Sequence, residues 1–446
     1  TGDTPAGIIA LVGGQVVTMR DADQQQEVIK DGVVLIEGNR IKAVGTRSEV
    51  SIPADAFELD VAGKTVLPGL IDAHAHGGMG SDEIMPQQNW MQLSNLAFGV
   101  TTIHDPSNDT SEFFAASELQ KSGQLVAPRI FGTGTILYGA YVPGYSAETN
   151  SLDDAEFHLR RLKDVGAISV KSYNQPRREQ RQQIIQAASE LDMMVVPEGG
   201  MRFQHNMSML IDGHTTMEHS VPVQNVYDDV KQLWSQVETA YTPTFVVSYG
   251  GLMGEEYWYD RTNVWENPRL MRYSPKSRVY PRAIRRPKAP DSEYNHVFVA
   301  RNAKALRDAG VRVNIGAHGQ REGLAAHWEM WSMAMGGFSP WEALRGATID
   351  GAQSLGMDHE TGSLEVGKLA DIVIIEGNPL EDIYRSEYVS HTVINGRLFD
   401  VTSMNQLAPE QVARQPLFFE LEGGDAWSDS RRQSHEQKAR ALHWQH

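Results

Sequence analysis

Residues 66–80 read VLPGLIDAHAHGGMG: an apolar run closing on two histidines one residue apart, then a glycine loop. In an extended strand, residues i and i+2 face the same way. His74 and His76 therefore point together from a strand end, which is where a parallel barrel gathers its active site. One strand-end histidine is usually a packing residue. A same-facing pair ahead of a glycine loop points instead to a metal site.

Outward from that stretch the chain alternates. Apolar runs occur at LPGLIDAHA, GVTTIHD, PRIFGTGTIL, GAISVKSY, DMMVVPEG, HTTMEHS, YTPTFVVSYG and VRVNIGAH. Amphipathic segments such as LDDAEFHLRRLKDVG, REQRQQIIQAASELD and HVFVARNAKALRDAG separate them. Eight strand–helix units predict an α/β fold, a (β/α)8 TIM barrel. The rival, a doubly wound open sheet, often carries a phosphate-binding GxGxxG loop, and GTGTILYG lacks that spacing. The first 65 residues are rich in Val and Ile and punctuated by Gly-Gly, Gly-Asn and Ala-Gly-Lys turns, and the same texture returns in GSLEVGKLADIVIIEG and HTVINGRLFDV. The two ends are expected to pair into one small β-sandwich. The predicted division is residues 1–65 and 359–400 for the sandwich, 66–358 for the barrel, and 401–446 for a polar peripheral tail.

Bulk properties narrow the classes. The chain has 446 residues, 41% apolar and 22% charged, with a net charge of −17. Such an acidic chain is a poor nucleic-acid binder. No run of about eighteen apolar residues suggests membrane insertion. There is no cysteine, so disulfides and thiolate metal sites are excluded. The sequence opens TGDTP, with neither an initiator Met nor an apolar leader, so any signal or upstream domain would precede it.

PGLIDAHAH resembles the signature of the metal-dependent amidohydrolase superfamily, in particular its imidazolonepropionase- and prolidase-like branch. GVTTIHDP resembles that family's second strand, WEALRGATIDGAQSLGM a late joining helix, and GSLEVGKLADIVIIEGNPL the return into the sandwich. The motifs fall in the family's order across roughly residues 6 to 400. The resemblance implies one or two divalent metal ions, most readily Zn, with Mn, Fe or Co as alternatives, and hydrolysis of amide, cyclic amide or peptide-like C–N bonds. It also implies a ligand set. His74 and His76 close the first strand and His219 the sixth. Lys171 closes the fourth, where similar binuclear members carry a CO2-modified lysine; the alternative is an unmodified Lys paired with a carboxylate. Two positions depart from the family pattern: Glu198 stands where a fifth-strand histidine is usual, and His318 where an eighth-strand aspartate is usual. One carboxylate and one imidazole thus remain at exchanged strands, and both suit Zn-like ions. Glu198 and His318 are accordingly expected to be ligands and the candidates for moving the proton in catalysis.

His104, Tyr138 and Tyr141 are further candidates for contacting substrate at the mouth. His327 reads as supporting or packing, and His214 as ending a helix. His158, His205, His296, His359, His391, His435, His443 and His446 read as surface residues. Residues 250–295 form a long insertion with nine Lys/Arg against one Glu between 261 and 290, read as a lid, a carboxylate-binding surface or a subunit contact. IGAHGQREGLAAHWEMW resembles amidohydrolase domains that follow TolB-type propellers, which implies an upstream propeller and an exported, periplasmic home; a cytoplasmic one is the alternative. A small-molecule or short-peptide substrate and a homo-oligomer are expected. The competing functions are a lactonase or phosphotriesterase on the same metal site, and an inactive scaffold.

Overall fold

The first barrel strand, Leu70–Asp72, is only three residues long, yet it sets the architecture. It runs parallel to Val100–Asp105, which runs parallel to Arg129–Gly132. These are short, largely buried segments, as parallel sheets covered on both faces require. The computed structural model describes residues 2–20, 27–142 and 146–421. Beyond the third strand the barrel continues through Ile136–Tyr138, Ser169–Ser172 and Met194–Pro197, then Thr216–Glu218 and Ala240–Thr242. The eighth stave closes the ring: Tyr241 N–H donates to Arg312 O at 2.8 Å and Ala73 N–H to Ile315 O at 3.1 Å. The expected barrel is present, with helices such as Leu152–Asp164, Arg178–Glu190 and His296–Asp308 outside it.

Three sequence expectations need revision. The third run is broken into two pieces, with Gly134 at φ +64° between them. The seventh run, 241–250, is strand only over Ala240–Thr242; Thr244 turns left-handed and Phe245–Val247 is a 3-10 turn. The eighth run has no regular strand, only a bridge from Val313 to Tyr241.

The chain ends form one nine-stranded sheet. Ile372–Glu376 lies antiparallel to Lys64–Pro68, joining the C-terminal strands to the N-terminal ones. One edge strand, Arg40–Thr46, closes on the segment that leads into Ile372–Glu376: Ile41 N–H donates to Lys368 O and Ala370 N–H to Asn39 O, both at 2.9 Å. The sheet thereby encloses its own core, with Ile9, Leu11, Val34, Ile36, Ile372 and Ile374 inside. It also extends past residue 400: Asn405–Ala408 pairs with Arg397–Asp400, so the start of the expected tail is sheet. Residues 422–446, with His435, His443 and His446, lie outside the described residues.

The insertion folds into helices Gly254–Arg261, Pro268–Tyr273 and Lys276–Ile284. Its cations are engaged in holding it in place. Arg261 pairs with Asp260 and Asp291, Arg282 with the buried Glu255, and Lys288 with Asp260. Arg269 donates to the carbonyls of Glu387 and Val389. Of the insertion's nine cations, Arg261, Arg269, Arg282 and Lys288 therefore serve the fold. Among the described residues no helix is long and apolar enough to cross a membrane.

Candidate metal centre

At the C-terminal mouth of the barrel four imidazoles converge. The His74 ring centre lies 5.1 Å from His76, 4.8 Å from His219 and 5.1 Å from His318. His76 and His318 are 4.7 Å apart, His219 and His318 5.1 Å. One ligating nitrogen from each of His74, His219 and His318 falls within 4.8 Å of the others. Three staves spread over 244 positions of chain, from His74 to His318, thus supply a single cluster.

Three of the four rings are turned by a partner on the far side. His74 Nδ1 meets Glu218 Oε2 at 2.5 Å, His76 Nδ1 meets Asp105 Oδ1 at 2.9 Å, and His219 Nδ1 meets Thr244 Oγ1 at 2.8 Å. Such outer partners select the tautomer that leaves the other nitrogen for an ion. His74 Nε2 and His318 Nδ1 are buried and have no hydrogen-bond partner. Burial, reinforced by the neighbouring histidines, holds His74 and His318 well below the ordinary histidine range, so both rings are neutral. Neutral, convergent nitrogens with oriented backs fit a divalent cation, which would be held by His74, His219 and His318.

Glu198 and Lys171 complete the floor. Lys171 Nζ is 2.8 Å from Glu198 Oε2, and His219 Nε2 is 3.4 Å from Glu198 Oε1. Burial alone would raise the Glu198 carboxyl, but the Lys171 ammonium and His219 outweigh it and keep it ionised. Close packing fixes the turn behind it. Gly199 sits at φ +71°, and a Cβ there would fall 1.9 Å from Glu218 O, so only glycine fits. Gly319 plays the same part after His318, its missing Cβ leaving room for His76 O at 2.6 Å.

The structure therefore brings together His74, His76, Lys171, Glu198, His219 and His318. His104 is different: Nε2 bonds Ser169 Oγ at 2.8 Å and Nδ1 bonds Ala73 O at 3.2 Å, so the ring braces staves beneath the site instead of reaching its mouth. Tyr138 packs edge-on against Tyr173, and Tyr141 is exposed. His327 bonds Phe98 O and Ser386 Oγ, a packing role, and His214 caps the helix Phe203–Asp212 through Met209 O. His296, expected at the surface, is buried among Tyr257, Trp258 and Tyr294.

Sequence reasoning missed Glu218, Asp105, Thr244 and Asp72. Asp72 shares the i, i+2 face of His74, and its Oδ1 accepts the N–H groups of His74 and Ala317, so its signal was present in the opening stretch. Tyr249, whose ring lies 5.4 Å from His219, carried no local signal.

The model of the amidohydrolase family matches residues 273–399. A 5-methylthioadenosine/S-adenosylhomocysteine deaminase of Symbiobacterium thermophilum is 24% identical over 418 residues, covering 82% of this chain and 85% of that protein. An imidazolonepropionase of Geobacillus is 23% identical over 421 residues, covering 88% and 95%. Among solved structures, a Xaa-Pro dipeptidase with methionine bound in its active site superposes with a TM-score of 0.66 at 21% identity, covering 88% of this chain and all of that one. Over residues 273–399 the chain is therefore similar to the amidohydrolase family, and over most of its length to the two enzymes named.

Proposed function

We propose that the protein is a metal-dependent hydrolase that cleaves an amide, cyclic amide or peptide-like bond in a small substrate. One observation carries this reading: three neutral imidazoles from distant staves converge, and buried nitrogens of two of them lack any partner. The names of the relatives, a deaminase and an imidazolonepropionase, support a C–N bond as the target.

A bound divalent ion would lower the pKa of its water to about 7 and polarise the scissile carbonyl. His74, His219 and His318 hold it, with His76 beside them. Glu218, Asp105 and Thr244 keep the rings in register. Glu198 moves the proton: its ionised carboxylate lies at the rim of the cluster, where it takes a proton from the attacking water and returns it to the leaving nitrogen. His318 is the alternative carrier.

Lys171 allows two forms. Carbamylated, it would lend an anionic oxygen to a second ion. As an ammonium it pairs with Glu198 at 2.8 Å, and the site then holds a single metal. Metal analysis of protein purified without chelators decides the count, and intact mass decides the modification. Dipeptides and cyclic amides should be hydrolysed in preference to matched lactones and phosphotriesters. Glu198→Gln should retain metal and lose kcat. Metal-free protein even after soaking with Zn or Mn, or a preference for lactones, overturns the proposal.

A further inference from the structure

Three residues at the metal centre adopt a backbone conformation that L-amino acids avoid: His219 at φ +64°, Thr244 at +49° and His318 at +57°. Thr244 stands out because a β-branched residue in the left-handed region is a true outlier. Such strain persists only where the surroundings over-determine it, and it clusters at functional sites.

What over-determines it is a buried carboxylate outside the centre. Glu329 lies on the helix Leu324–Met335 and is fully buried. Its Oε1 accepts the N–H of Val246 at 2.8 Å, and its Oε2 accepts the N–H of Gly316 at 3.4 Å. Val246 belongs to the 3-10 turn that follows Thr244, whose hydroxyl meets His219. Gly316 lies two residues before His318, on the stave that lacks a regular strand. The neighbouring N–H, that of Ala317, is taken by Asp72.

We propose that Glu329 is a positioning residue for the metal centre: its two oxygens each fix one stave end, so that Thr244 orients His219 while His318 faces His74. This rests on the reading of the cluster as a metal site. The requirement is for two oxygens, one at each stave end. A glutamine of equal volume offers one acceptor, and its NH2 would confront the second N–H, so one attachment must fail.

The test compares wild type with Glu329→Gln, using chelator competition for metal affinity and the visible spectrum of the cobalt-loaded protein. Glu329→Gln should bind metal about 10–100-fold more weakly, the range for lost outer partners, and its cobalt bands should change. Asp350→Asn is the control for a merely structural effect. It disturbs a buried pairing with Arg307 and Arg345, and should lower the melting temperature without moving affinity or spectrum. Folded Glu329→Gln with wild-type affinity and spectrum overturns the proposal. If that variant does not fold, Thr244→Val removes the hydroxyl at the other end of the same chain of contacts, and unchanged affinity there overturns it equally. Wild-type protein that takes up no metal sinks the metal reading itself, whereas a metal-binding wild type with an indifferent Glu329→Gln sinks only this inference.

Discussion

The metal centre and the junction between barrel and sheet both bury charged and polar side chains, but they treat them in opposite ways. At the junction every partner is supplied. Arg129 grips Asp371 through Nε at 2.5 Å and Nη2 at 3.1 Å, and the Asn395 N–H fills a further site on the same carboxylate at 3.0 Å. At the centre His74 and His318 each keep a buried nitrogen unpaired. Folding normally satisfies buried polar groups because an orphan costs about 1–3 kcal/mol. A cluster of orphans therefore marks a place where something else is meant to bind. His296 shows the limit of that rule: both its nitrogens are unpaired, but among the described residues it belongs to no convergent group of His, Asp or Glu. Convergence, not the orphan alone, makes the site.

Breaking either region should have a separable signature. The largest effect is expected from His74→Ala, which removes the ring at the centre of the cluster. Metal affinity should fall at least about 100-fold, beyond the range for outer partners, and activity should go with it, while melting of the apo-protein changes little. Metal content after dialysis checks this, and a His74→Ala protein that retains its metal would remove His74 from the centre.

Next comes Arg129→Ala at the junction. It leaves Asp371 buried without its cation, which costs about 3–5 kcal/mol. Denaturant unfolding should show that loss with metal content per folded chain unchanged. A coupled loss of metal would mean the two regions are not independent.

A smaller change is expected from Asp105→Asn, which weakens the hold on His76 Nδ1 while keeping the shape. Metal affinity should drop about 10-fold, with less than 1 kcal/mol lost from the fold. Equal affinity would place His76 outside the ligand set.

Legibility followed the same division. The i, i+2 rule found His74 and His76 because the first stave is regular up to Asp72. His219, Glu198 and His318 were found through the resemblance to the amidohydrolase family, which places ligands at the ends of those runs. The rule failed at Glu218 and His219. Neighbours in a strand should face opposite ways, but His219 has left the strand at φ +64°, and both side chains reach the cluster. Glu218 also meets His74 across 144 positions of sequence, a contact that no local pattern encodes. The seventh and eighth staves were overextended for a related reason. FVVSYG and VRVNIGAH have β-rich composition, but Glu329 and Asp72 take N–H groups that a sheet ladder would otherwise have used. The insertion's charges misled because composition counts cations and cannot say which are already paired.

The smallest expected effect probes a satisfied histidine. His327 is buried between Phe98 O and Ser386 Oγ, and burial lowers its pKa from 6.5 to about 3. The unfolded chain accepts a proton near pH 6.5 that the folded chain refuses. Stability from this residue is therefore complete above about pH 6.5 and is lost progressively as pH falls toward about 3. His327→Gln can keep one of the two hydrogen bonds while removing the titration. Its stability in denaturant should be slightly lower at pH 7, and across that acid window it should depend on pH by up to one proton less than wild type. An identical slope would mean that the His327 ring is protonated in the folded protein. The rule drawn from the junction, that architectural polar groups are buried neutral or fully paired, would then fail at the residue where it is easiest to measure.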